Sequence, residues 1–201
     1  MMKRSALCCL LATLSLAALA PAALADPLDD RAAATFSSAF AESCTAAFAE
    51  DGSLIEPPRR FDVTMSSSFS EPEKATLWQF RCNLGAYNQT DVLLMWTEFE
   101  GIVPLALAQP AVTVVNEDPE NFESPVKEVK IAGWTARNAV VNSTFDPATG
   151  VLSATGRWRG IGDAYDAGDW VLRDGGLQLR HYEVDASYDG EVKPQLVLDF
   201  P

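Results

Sequence analysis

The stretch Ala75-Thr-Leu-Trp-Gln-Phe-Arg-Cys-Asn-Leu-Gly-Ala-Tyr-Asn88 decides the fold. Trp78, Phe80, Cys82 and Leu84 fall on one side of a two-residue period, and Leu77, Gln79, Arg81 and Asn83 on the other. Alternation of this kind predicts a β-strand with an aromatic face. Gly85-Ala86-Tyr87-Asn88 supplies the turn that ends it. Cys82 lies on the aromatic face, so whatever covers that face should carry its partner.

The segment from Asp29 to Glu50 is the candidate cover. Phe36, Phe40, Cys44 and Phe48 recur every four residues, with Ala33 and Ala47 beside them, which predicts one amphipathic helix. Asp29 or Asp30 is placed to cap its start, and Asp51-Gly52 to stop it. A Cys44–Cys82 disulfide is expected, closing a loop of about 39 residues and restricting the unfolded chain by roughly 4 kcal/mol. A redox-active pair is the weaker reading, because no C-x-x-C is present.

Upstream, Met1-Met2-Lys3-Arg4 precedes an apolar run from Ala6 to Ala20, and Pro21-Ala22-Ala23-Leu24-Ala25 offers an A-x-A cleavage box. Residues 1–25 are therefore expected to be a cleaved signal peptide, leaving a single domain at 26–201, with its helix in 26–52 and its β-rich part in 59–201. The run is shorter than the roughly 20 residues of a spanning helix. Export to the periplasm or beyond would also explain the disulfide.

The chain has 15 basic and 28 acidic residues, a formal charge of −13. Loss of Lys3 and Arg4 with the leader takes this to −15. Such a surface repels phosphates and anionic lipid heads, which argues against nucleic acid and membrane partners. No later stretch is long and apolar enough to predict membrane insertion of the mature chain.

Strand signals continue along the chain. Phe61, Val63, Met65 and Phe69 alternate with polar residues. Asp91 to Glu100 begins apolar on both faces and is expected near a sheet centre. Ile102 to Val115 is β-type and broken by Pro104 and Pro110; Asn116 to Pro125 reads as a long loop, and Val126 to Ile131 as another strand. Ala139 to Phe145 and Val151 to Trp158 flank a Pro/Gly turn, and Trp170 to Arg173 and Leu177 to Val184 flank Asp174-Gly175-Gly176. Gln195 to Phe200 closes the set. One helix with many antiparallel candidates predicts a mainly β (α+β) domain: an antiparallel sheet or sandwich with an N-terminal helix packed on it. The absence of βαβ units argues against a Rossmann site.

Two motifs carry a family resemblance. Cys82-Asn83-Leu84-Gly85-Ala86-Tyr87-Asn88, together with Gly156-Arg157-Trp158-Arg159-Gly160-Ile161-Gly162-Asp163, Asp169-Trp170-Val171 and Gly175-Gly176, resembles the exported Gram-negative bacterial family known as domain of unknown function eleven seventy-six. The resemblance spans roughly Ala75 to Phe200 and implies export and a disulfide-stabilised β fold, with no established activity. The family's second cysteine pair is missing. Ala164 stands where one cysteine is expected, and no cysteine occurs near Ala186 to Tyr188, where the other would fall. Leu172 replaces the second family tryptophan.

Chemical readings are sparse. His181 is the sole histidine, which leaves no two-histidine metal site, and no Gly-x-Ser-x-Gly supplies a nucleophile. By simple alternation His181 shares a face with Leu177 and Leu179 near a strand end. Glu98 and Glu100 would lie on one face of a strand with Cα atoms roughly 6.5–7 Å apart. That is permissive for a glycosidase pair, whose carboxyls stand about 5–9.5 Å apart. Asp163, Asp166 and Asp169 read as an acidic loop, able to cap a tight turn or to offer oxygens to calcium. Trp78, Tyr87 and Trp96 could line a ligand groove or fill the core. Asn88-Gln89-Thr90 and Asn142-Ser143-Thr144 match the glycosylation sequon.

The expectation is a non-enzymatic exported domain that binds a protein or cell-envelope component, with no cofactor and no assigned catalytic or metal residue. The alternative is a small carboxylate-dependent hydrolase of an envelope polymer.

Overall fold

The computed structural model describes residues 26–200. The expected leader at 1–25 lies outside them. Its architecture is a helix laid on a β-sandwich. Strands β1 (Arg59–Met65), β2 (Glu73–Leu84), β3 (Gln89–Thr97), β4 (Gly101–Pro104) and β7 (Ala139–Val141) form the first sheet. Strands β8 (Thr144–Asp146), β9 (Val151–Arg157), β10 (Tyr165–Arg173), β11 (Gly176–Asp185) and β12 (Gln195–Asp199) form the second. A separate ribbon pairs β5 (Leu107–Asn116) with β6 (Val126–Arg137). All the strand pairs are antiparallel.

The opening stretch sits at the centre, as its pattern predicts. Leu77 of β2 and Leu93 and Met95 of β3 point into the core shared with the second sheet, where Leu152, Trp170, Leu172, Tyr182 and Val184 meet them. On the opposite face Trp78, Phe80, Val92 and Leu94 pack against Ala32 and Phe36 of the helix. These strands need apolar residues at both parities because each face is covered.

The helix itself is shorter than the periodicity suggests. Helix α1 runs Pro27–Phe40, capped by the Asp26 carboxylate rather than Asp29 or Asp30, with Pro27 in its first turn. The chain then leaves the helix, and Cys44 opens a short 3₁₀ turn, Thr45–Ala47. The disulfide explains the departure. Cys44 and Cys82 are bridged with Cα atoms 4.3 Å apart, closer than a helix about 10 Å across could bring its own backbone to a sheet. Asn83 secures the turn, donating to Ser43 O at 2.7 Å and accepting from Ala46 N at 3.3 Å. Phe48 still stacks on Phe36, ring centroids 5.6 Å apart, but from the turn. At the other end Arg60 bonds Asp26 and Asp29 at 2.6 and 2.9 Å, and Trp78 Nε1 donates to Asp29 at 2.8 Å.

β4 and β7 pair with the same edge of β3, at Leu94–Thr97 and Thr90–Val92 respectively. The ribbon is thus an excursion from that edge. Leu105 N donates to Leu93 O at 2.9 Å and Asn138 Nδ2 to Leu105 O at 3.2 Å, which anchors its base. Its inner residues, among them Leu107 and Val112, pack against the sandwich core. Residues 117–125 form the expected loop, while β6 runs to Arg137, six residues past the predicted end.

Candidate functional site

Where the ribbon base crosses the sandwich, a cleft of about 520 Å³ opens between all three sheets. The first sheet contributes Thr90, Ala139 and Val140; the ribbon, Leu107, Gln109 and Arg137; the second sheet, Gly156, Asp166 and Gly168. Each element reaches it for a local reason. Even-numbered residues of β10 face inward, which carries Asp166 and Gly168 to the cleft wall with Trp170 behind them. A side chain at Gly168 would place its Cβ 2.6 Å from the Trp170 ring and 2.9 Å from the Tyr182 ring, so only glycine lets both aromatics close over that strand.

Asp166 is the polar centre. Its Oδ1 accepts from Trp158 Nε1 at 2.8 Å. Its Oδ2 accepts from the Tyr182 hydroxyl at 2.7 Å and from Gln109 Nε2 at 3.2 Å. Gln109 also donates to the Tyr182 oxygen at 3.0 Å. Burial, and then the Asp166 charge, push the Tyr182 hydroxyl well above the usual phenol range, so its proton stays in place as a donor. Three donors, from β5, β11 and the β9–β10 connection, fix the orientation of the Asp166 carboxylate in the cleft wall. Trp170 and Tyr182 are 3% and 2% exposed, so they wall the cleft without forming a stacking platform. The arrangement suits recognition of a small group against an apolar wall.

The predicted acidic loop is not a loop. Asp163 precedes β10, whereas Asp166 and Asp169 lie within it and point to opposite faces. Asp163 binds the Arg159 guanidinium through both oxygens, one at 2.7 Å, and accepts from Gly190 N at 2.8 Å. The Arg159 pairing holds its carboxyl far below the usual range. Asp169 instead accepts from Ser153 Oγ at 2.6 Å. The three cannot share one cation, because a strand's alternation separates them. Among the described residues no trio of His, Cys, Asp or Glu is gathered to hold a metal.

Glu98 and Glu100 are also displaced from their predicted setting. β3 ends at Thr97, and both residues occupy the exposed β3–β4 turn. Glu100 shares a small cavity with Asp174, which follows β10, while Asp163 precedes it. The nine residues of β10 span roughly 30 Å at about 3.3 Å per residue. Asp163 and Glu100, one from each acidic set considered for a hydrolase, therefore stand near opposite ends of β10.

His181 faces outward, within 3.3 Å of Asp199 and 3.6 Å of Glu183. A register shift between Asp169 and Trp170, where Arg180 is the extra residue, reverses the alternation of β11. Leu177 and then Tyr182 and Val184 thus point inward, contrary to uninterrupted alternation. Trp78, Trp96 and Tyr87 do not line one groove: Trp78 is core beneath α1, Trp96 packs at that layer's margin, and Tyr87 donates to Trp158 O at 3.2 Å. The two sequon asparagines engage each other, Asn142 Nδ2 donating to Asn88 Oδ1 at 2.8 Å.

Sequence reading missed Gln109, Asp166 and Tyr182 as a group, since they come from three different strands. It also missed a buried network around Asp91, which accepts from Gln79 at 2.9 Å, Ser143 at 2.8 Å and Gln89 at 2.6 Å and joins β2 and β3 to the β7–β8 connection. The one available signal was Asp91 in an otherwise apolar strand. Comparison with known proteins found no matching family model, no matching curated protein and no matching solved structure.

Proposed function

We propose that this chain is an exported, non-enzymatic binding domain that takes a segment of a protein or cell-envelope component into the cleft beneath the ribbon. The observation that carries the reading is the cleft itself. Its volume of about 520 Å³ lies within the range usual for ligand pockets, about 300–1,000 Å³, and its polar centre is a carboxylate already held by three donors. A carboxylate held by Trp158, Tyr182 and Gln109 is fixed in place to orient a bound group. The formed Cys44–Cys82 bridge supports export, because such bridges persist in oxidising compartments.

We further propose membership of the family known as domain of unknown function eleven seventy-six. The two resemblance-bearing stretches are bonded to each other: Asn88 Nδ2 donates to Arg157 O at 2.8 Å and Arg157 N to Asn88 Oδ1 at 3.1 Å. The register that pairs Tyr165 with Asp185, continued by one residue, sets Ala164 opposite Ala186. Both are buried. Ala164 is the position expected for one missing cysteine, and Ala186 opens the stretch, Ala186 to Tyr188, expected for the other.

Ala139→Trp tests the cleft, since Ala139 is an exposed residue on its lining. Soluble envelope fragments and exported-fraction proteins are titrated against wild type and variant, with Trp fluorescence as the readout. Saturable binding by wild type that is lost in a variant of unchanged melting temperature is the expected result. Equal binding by both would remove the cleft from the function, and turnover of an envelope polymer would replace binding with hydrolysis.

A further inference from the structure

A second cavity, of about 280 Å³, lies at the other end of β10, where the β1–β2, β3–β4 and β10–β11 turns converge. Its lining includes Phe69, Phe99, Met65, Glu73, Glu100 and Asp174. Phe69 and Phe99 are 91% and 87% exposed. They stand on two turns that leave the first sheet at the same end and flank one cavity. Isolated exposed apolar residues are ordinary, but two nearly bare rings beside one opening mark a contact surface.

The charge around those rings is negative. Glu73 Oε1 is buried and has no hydrogen-bond donor, an uncompensated position for a carboxylate oxygen. Asp174 is engaged by Ser68 N and Ser68 Oγ and paired with the Arg173 guanidinium at 3.5 Å, so its charge is compensated within the protein. The free negative charge at the cavity is that of Glu73 and Glu100. Glu100 is exposed at the rim. A neutral apolar ligand would satisfy the rings and leave Glu73 unpaired. An anion would be repelled. A bare divalent metal needs several converging oxygens at about 2.0–2.6 Å, and no such trio is gathered among the described residues. A diffuse cation with an apolar skin meets both requirements, because aromatic faces attract it and carboxylates balance it. The strongly acidic surface raises the local concentration of any such cation.

We infer that the cavity between Phe69 and Phe99 is a binding site for a small organic ammonium ion. The rings supply cation–π contact, and Glu73, with Glu100 at the rim, supplies the opposing charge. The site is separate from the cleft beneath the ribbon and does not depend on that cleft's function.

Choline is the probe, and its uncharged carbon isostere, dimethylbutanol, is the control. Calorimetric titration of the full mature chain should show saturable choline binding and none of dimethylbutanol. The exposed-ring double variant Phe69→Ala/Phe99→Ala should weaken choline by about tenfold or more, as expected for losing two cation–π contacts, with an unchanged melting temperature. Glu73→Gln should also weaken it, whereas Ala139→Trp should leave it unaltered. Failure of choline to saturate at tens of millimolar would overturn the inference. Equal binding of dimethylbutanol, or tighter competition by calcium, would also do so. A dimer in sedimentation that the double variant dissolves would assign the rings to self-association instead.

Discussion

Asp163 shows what one side chain contributes here. It is 3% exposed and joins the chain before β10 to the 186–194 segment through Arg159 and Gly190 N. Arg159 in turn lies over the Tyr188 ring, 5.0 Å from its centroid, and Phe122 of the ribbon loop meets that ring edge-on at 5.4 Å. A carboxyl whose folded pKa is depressed contributes stability in full above its unfolded value of about 4, and loses it as pH falls through the folded value. Asp163→Asn should therefore melt below wild type at pH 7, with the gap constant down to about pH 4 and closing below it. Thermal melts across that range check the sign; a gap that widens in acid would refute the pairing. The residue types at 157–163 were legible as a motif, but the partners of Asp163 were not. Gly190 lies 27 positions away, and no local pattern reports on it.

At the scale of elements, the strands were readable because most faces are covered on one side or both, and alternation records that. Helix α1 was over-extended because Cys44 and Phe48 continue a four-residue period into the same core by another route. Alternation also failed in β11, where the extra residue Arg180 turns Tyr182 inward, since a bulge inserts one residue and leaves no compositional mark. The β10–β11 register carries its own prediction. Directly opposed residues on antiparallel strands have Cα atoms about 4.5–5.5 Å apart, which suits a disulfide. Ala164→Cys/Ala186→Cys should oxidise spontaneously and, once oxidised, resist unfolding by about 3 kcal/mol more than its reduced form. Denaturant titration with and without reductant measures this. Two thiols that stay titratable in air would show that the register stops at Tyr165.

The whole molecule is three layers: helix, first sheet and second sheet, with the ribbon folded from one sheet edge onto the core. The Cys44–Cys82 bridge, with 38 residues of separation, staples the outer layer to the central one. Cys44→Ser should lower stability by about 2–4 kcal/mol, read from the denaturant midpoint of the purified chain; an unchanged midpoint would mean that the closed loop places no restraint on the unfolded state. By itself, the sequence determined that the chain is mainly β, that one helix covers the aromatic face of the Ala75–Asn88 strand, and that Cys44 meets Cys82. Those features are written in residue periods and in the two cysteines that follow residue 25. Only the tertiary structure decided where the acids stand and which side chains share a cavity. Gln109, Asp166 and Tyr182 meet because a ribbon crosses a sheet, and Phe69 and Phe99 line one cavity because two turns leave a sheet at one end. Both are consequences of strand order and register, which arise from long-range packing and carry no local signature.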